Sequence, residues 1–256
     1  MLDIHQQHIV EENLSVAWAR AFLVTAENPE VSPLTVTVTG FENGLPAEND
    51  RIRTALDQSL KSHDLPSCET VAGTIFPSSL WNPQLDRSAL FDRYRTILPA
   101  IRRCKNNRNG VYFERLIDYK PNGDGEGEGI NQLDYIISTY RLGNHRRSAL
   151  QASVFNPACD ATNQRQRGFP CLQQVGFTPN AREQSMAVSG YFPMEYIYVR
   201  GYGNYLGLCR LGQFVAHELG LAMTKMTCFV GVGIPGKVAK KNLRSLAQDI
   251  RAAIDD

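Results

Sequence analysis

Cys171 follows Pro170 and opens an apolar-rich segment, one of six cysteines in the chain. A thiolate there could add to an electrophilic carbon and later leave it again, which suits cysteine better than serine. A plain strand cysteine packed in the core is the alternative. Arg146 and Arg147 are adjacent and could give paired donors to a phosphate, or stand solvated between a helix and a strand. Asn204 opens the longest helical pattern, where its amide could meet a ligand or cap the helix. The run Gly231-Val-Gly-Ile-Pro-Gly-Lys237-Val approaches a phosphate-cradling loop. Val238 stands where that loop needs a hydroxyl, so a glycine turn before the last helix is expected. The chain has neither C-x-x-C nor H-E-x-x-H, and no metal site is expected.

These residues need elements to carry them. Apolar residues recur at helical spacing over 10–25, and alternation over 34–39 predicts a half-buried strand. Asp50 is placed to cap a helix holding Ile52, Leu56 and Leu60, and a further helix carries Leu90, Phe91 and Tyr94. The stretch 67–83 between them reads as irregular. A strand is expected over 111–119, ending in a glycine- and acid-rich loop, and then a helix with Leu133, Ile136 and Ile137. Strands follow at 148–155, 171–177 and 185–191, a long helix over 204–221, an apolar run over 226–232 and a closing helix through Leu243, Leu246 and Ile250. Strands and helices mix without regular alternation, so the class is α+β, with residues 1–256 as one domain.

With 256 residues, 43% hydrophobic and 21% charged, the chain can bury a substantial core. A net charge of +1 gives no broad basic face, so no direct nucleic-acid binding is expected and any phosphate should be held by a few placed arginines. The first residues lack the apolar core of a secretory signal, no stretch is long enough to span a membrane, and the cysteines have no regular spacing. The expectation is a cytoplasmic protein with reduced thiols and no membrane partner.

Over 111–219 the order and spacing of motifs resemble thymidylate synthase. Val111-Tyr112 matches the start of V-Y-G-x-Q-W-R, and Asn131-Gln132-Leu133 stands in for D-Q-L. Arg146-Arg147-Ser148 followed by Ala152-Ser153-Val154-Phe155-Asn156-Pro157 is similar to R-R-I-x-x-S-A-W-N-P. Pro170-Cys171 takes the place of P-C-H, and Asn204 opens a helix at nearly the family's distance. The chain is identified as a divergent member of the thymidylate synthase and pyrimidine nucleotide hydroxymethylase superfamily.

That resemblance implies a mixed β-sheet packed with several helices and one sheet face at a homodimer interface. It implies Cys171 as the nucleophile at C6 of a pyrimidine nucleoside monophosphate, with Tyr112 assisting proton removal at C5. Asn204 would read the base, with a tilt towards uracil. Arg146 and Arg147 would reach the partner's phosphate site. 5,10-Methylenetetrahydrofolate would donate the one-carbon unit, with Trp81 and Glu195 at its site. The expected activity is transfer of a methyl or hydroxymethyl group to C5. A nucleotide-binding sensor or scaffold, or another C5 reaction such as exchange, are the alternatives.

Several family motifs are absent. Pro193 falls where the Q-R-S-x-D arginine belongs, with Arg200, or Arg165 and Arg167, as possible replacements. The H-x-Y sugar motif has no counterpart, and Asp57 and Gln58 stand where the family has its catalytic glutamate.

Overall fold

A computed structural model describes residues 6–107, 109–123, 127–163 and 169–255. β1 (Gln7–Glu11) comes first, and Asn13 caps α1 (Leu14–Glu27) by accepting from the backbone N–H of Ser15 at 2.9 Å. The single helix expected over 10–25 is thus a strand and a helix, divided at the cap. β2 (Leu34–Val38) takes the Thr-Val alternation, and β3 (Phe41–Glu42) and β4 (Leu45–Pro46) form a small hairpin after it. α2 (Asp50–Ser62) is capped by Asn49, which leaves Asp50 in the first turn.

Residues 67–83 are not irregular throughout. Ser67 accepts from the Thr70 N–H and starts α3 (Cys68–Ile75), and α4 (Arg87–Arg103) follows. The strand expected over 111–119 is the short helix α5 (Tyr112–Ile117). Phe113, Leu116 and Ile117 are buried at helical spacing, with the Phe113 ring 4.8 Å from that of Tyr94 and 5.7 Å from that of Phe76. Those tertiary contacts outweigh the strand preference of Val-Tyr-Phe. Asn131 caps α6 (Gln132–Leu142), and the strand at 148–155 shrinks to β5 (Gln151–Ser153) before α7 (Pro157–Asp160). β6 (Gln174–Asn180), β7 (Ser185–Tyr196), α8 (Tyr202–Leu219), β8 (Ala222–Ile234) and α9 (Lys240–Asp255) complete the order. Gly231 and Gly233 lie inside β8, so the glycine run is strand up to Ile234 and does not form a phosphate loop.

The six main strands make one mixed sheet in the order β1-β2-β8-β7-β6-β5. β1 runs parallel to β2 and β7 parallel to β8, while the other neighbours are antiparallel. One register row crosses all six strands as Ile9, Val36, Cys228, Gly190, Val175 and Ala152, and every member is buried. The adjacent row is His8, Thr35, Phe229, Tyr191, Gln174 and Ser153, none of them buried. Successive side chains point to opposite faces, so the sheet has a helix-covered side and a bare side. Among the described residues no helix is long and apolar enough to cross a membrane.

α8 joins β7 to β8 and is buried almost all round, from Tyr202 to Ala216. Two glycines allow α3 to pack against it. A Cβ at Gly203 would fall 2.5 Å from the Val71 Cβ, and one at Gly207 would fall 2.9 Å from the Ala72 carbonyl oxygen. Asn204 rides between these two contacts, so its position is set by helix packing.

Candidate active site

Cys171 precedes β6 and is exposed, whereas Cys68, Cys209 and Cys228 are buried. The segment leading to it is pinned from several sides. Phe169 stacks obliquely on Tyr112, ring centres 5.3 Å apart, and the Arg115 guanidinium lies 5.5 Å from the centre of the same Phe169 ring. Arg115 in turn pairs with Asp160 at 3.2 Å, both buried. Gln173 donates its side-chain N–H to the Pro170 carbonyl at 2.9 Å. A strand register starting at Gln174 therefore leaves Cys171 just outside the sheet, on a fixed turn.

Tyr112 is half-buried as a residue, but its hydroxyl end lies deep, against the Cys171 thiol and the backbone N–H groups of Cys171 and Leu172. Burial pushes the phenol well above its ordinary value, so it is neutral and can both donate and accept. Burial also pushes the Cys171 thiol up, and the Glu195 carboxyl adds to that rise. Arg200 and the Tyr112 hydroxyl act in the opposite direction. Cys171 is exposed as a residue, yet the protein crowded around its thiol disfavours the thiolate.

Arg200 sits in a π-helical turn, Ile197–Gly201, immediately before α8. The Trp18 indole N–H donates to the Ile197 carbonyl at 2.9 Å and fixes this turn. Arg200 is half-buried and has no carboxylate partner among the described residues, unlike Arg53, Arg87, Arg102 and Arg210. A cation close enough to Cys171 and Tyr112 to act on both, and not already paired, is available to an anionic ligand.

Asn204 does not cap α8; the helix begins at Tyr202 without a side-chain cap. Its amide N–H donates to Glu195 Oε1 at 2.7 Å, and the Tyr205 hydroxyl donates to Glu195 Oε2 at 3.2 Å. Glu195 and Asn204 are 2% and 3% exposed. The in-out alternation of β7 breaks at Pro193 and Met194, both exposed, and this turns Glu195 inward beneath α8. Burial raises the Glu195 carboxyl to about 7, against the pull of its two donors.

Five of the residues singled out in the sequence, Tyr112, Cys171, Glu195, Arg200 and Asn204, thus form one connected group. They come from α5, the turn before β6, β7, the π-helical turn and α8. The others lie elsewhere. Arg146 and Arg147 are exposed at a 3-10 turn before β5 and have no carboxylate partner among the described residues. Trp81 packs edge-on against Phe76 at 5.8 Å, Phe214 at 5.8 Å and His217 at 5.5 Å, without contact to Glu195. Asp57 binds Arg53 and the Cys68 backbone N–H. Arg165 and Arg167 lie outside the described residues. A crevice of about 940 Å³ runs between α2 and α9, and Cys171 is not part of its wall.

The sequence reading missed two features. Tyr205 completes the Glu195 network, and it reads as one more apolar-face residue of a buried helix. The Arg115–Asp160 pair was hidden because 111–119 scanned as a strand. No protein-family model matches the chain, and no curated protein sequence matches it.

Proposed function

We propose that the chain is a divergent thymidylate synthase-like transferase that places a one-carbon unit, methyl or hydroxymethyl, on C5 of a pyrimidine nucleoside monophosphate. What supports this is that Tyr112, Glu195 and Arg200 all act on the thiol of an exposed cysteine, with Asn204 bonded to Glu195 behind them. The Cys171 sulfur adds to C6, and the electron pair displaced from the C5–C6 double bond makes C5 nucleophilic. After C5 has taken the one-carbon unit, loss of its proton and expulsion of the thiolate restore the ring; a methyl product also needs a hydride, which would come from the bound folate, and a hydroxymethyl product needs a water instead. Tyr112, against the thiol and uncharged, is placed to relay a proton. Arg200 favours the thiolate and, with an anionic nucleotide bound, can also meet the phosphate.

The proposed donor is 5,10-methylenetetrahydrofolate. Trp81 and Glu195, assigned to it from the resemblance, stand apart, and Glu195 is committed to Asn204 and Tyr205. As a pair they do not form one wall for a folate. The proposed protein is a homodimer joined through the bare side of the sheet, which exposes Val10 at 50%, Phe229 at 43% and Tyr191 at 40%. In that arrangement Arg146 and Arg147 serve the partner's phosphate.

A second reading, a nucleotide sensor without one-carbon chemistry, draws on the raised Cys171 thiol and the separation of Trp81 from Glu195. Exchange of the C5 hydrogen of dUMP for deuterium in heavy water separates the two. C6 addition gives exchange that Cys171→Ser abolishes, whereas a sensor gives binding without exchange.

A further inference from the structure

The crevice of about 940 Å³ between α2 and α9 has the size of a small-molecule site. It stays open because short side chains line it, Ala55 and Ser59 from α2 and Ser245 and Ala252 from α9. His63, which follows the last turn of α2, joins the two walls. The Ser59 carbonyl, 2.7 Å from His63 Nδ1, can only accept, so Nδ1 carries the hydrogen. In the neutral ring Nε2 then accepts from the Asn242 amide N–H on α9, at 2.6 Å.

This leaves a wall rich in unspent hydrogen-bonding groups. Among the described residues nothing donates to the Asn242 carbonyl oxygen, and its second N–H is uncommitted. Thr54, Gln58, Ser245 and Asp249 have no side-chain partner among the described residues either. An anionic ligand would meet the carboxylates of Asp50 and Asp249 beside a single guanidinium, that of Arg51. An apolar ligand would strip water from the amides and hydroxyls without replacing it. Ligand hydroxyls, which both donate and accept, match this lining.

We propose that the crevice is a second ligand site, for an uncharged, hydroxyl-rich molecule of sugar size, and that Ser59 carries its occupancy to the turn that holds Arg200. The Tyr198 hydroxyl bonds that of Ser59 at 2.9 Å and lies 3.3 Å from His63 Nδ1. Tyr198 is buried in the same π-helical turn, Ile197–Gly201, that carries Arg200. Such turns recur at functional sites. A ligand hydroxyl that takes over the Ser59 bond removes one anchor of the turn. Arg200 is then held less firmly, and its support of the Cys171 thiolate weakens. Tyr198 touches neither ligand nor thiol in this scheme. It is a positioning residue.

The test is calorimetric titration with sucrose and with adenosine, which carry a sugar alone and a sugar joined to a base. Putrescine and inorganic phosphate serve as charged probes. Binding of sucrose assigns a saccharide, and binding of adenosine alone assigns a nucleoside. Ser245→Trp fills the crevice from an exposed position and should weaken that binding about tenfold or more. Gln58→Ala, also exposed, removes one amide and should weaken it severalfold. With the crevice filled, iodoacetamide labelling of Cys171 should slow, and Tyr198→Phe should remove that dependence. No binding of either sugar, or binding of a charged probe alone, overturns the ligand class. Binding that both crevice variants leave unchanged overturns the location. Labelling of Cys171 at one rate with and without bound sugar overturns the link through Tyr198.

Discussion

The Arg115 guanidinium stands 3.2 Å from the Asp160 carboxylate, both side chains closed off from water, and presses towards the Phe169 ring two residues before Cys171. A buried ion pair is costly to break from one side, because the surviving charge has no water and no partner. Asp160→Ala should therefore destabilise the protein by about 3–5 kcal/mol in urea unfolding. The double variant Arg115→Met with Asp160→Leu should lose much less. Equal losses in the two proteins would mean that packing volume, not charge, is what the pair supplies.

Alkylation of Cys171 should speed up steadily with pH and still be rising at about pH 9, since burial and Glu195 both hold the thiol above its ordinary value. Glu195→Gln removes a negative neighbour and should shift the profile to lower pH. Arg200→Gln removes the cation and should shift it higher. Mass spectrometry of iodoacetamide-labelled peptides follows this directly, and movement of both variants in the same direction would refute the assigned electrostatics.

Glu195 also makes stability depend on pH. Its folded value, about 7, lies above the ordinary 4.5, so the folded state binds more protons than the unfolded chain between those values. Its contribution is therefore fully present at low pH and is lost as pH rises through about 7, at about 1.4 kcal/mol per unit of separation. Glu195→Gln should flatten that part of the stability curve. Urea midpoints measured from about pH 5 to about pH 8 check it, and parallel curves for the two proteins would contradict it.

Much of the frame was legible because it rests on local pattern. The Thr-Val alternation of β2, the helix through Leu133, Ile136 and Ile137 and the long helix near Asn204 were all visible in the residues themselves. α5 was not, because its helical state depends on Phe76 and Tyr94, both distant in sequence. The placement of Glu195 was equally hidden. It depends on a break in the alternation of β7 at Pro193 and Met194, and a strict period of two would have sent it to the bare face.

The two glycines of α8 give a paired test of helix packing. Gly203→Ala places a methyl 2.5 Å from the Val71 Cβ and should cost about 1–3 kcal/mol or more, displacing Asn204 as it does so. Gly73→Ala on α3 meets nothing within 4 Å and should be neutral or gain up to about 1 kcal/mol from helix propensity. Thermal melts should show a clear loss for Gly203→Ala and none for Gly73→Ala. A Gly203→Ala protein as stable as the parent would show that α3 can retreat.

Sedimentation should show a dimer that Phe229→Asp converts to monomer, while Arg146→Ala with Arg147→Ala leaves the dimer intact and weakens nucleotide binding. A monomeric parent protein would remove the shared-site arrangement.

The chemistry itself is tested most directly by intact-protein mass spectrometry after incubation with 5-fluoro-dUMP, with and without 5,10-methylenetetrahydrofolate. The fluorine cannot leave as a proton does, so an addition at C6 followed by reaction at C5 is trapped. The expected result is a mass increase of one nucleotide, mapped to Cys171 and absent from Cys171→Ser, with a further folate increment when 5,10-methylenetetrahydrofolate is present. A protein that binds the nucleotide yet gains no mass under either condition would contradict Cys171 as the nucleophile.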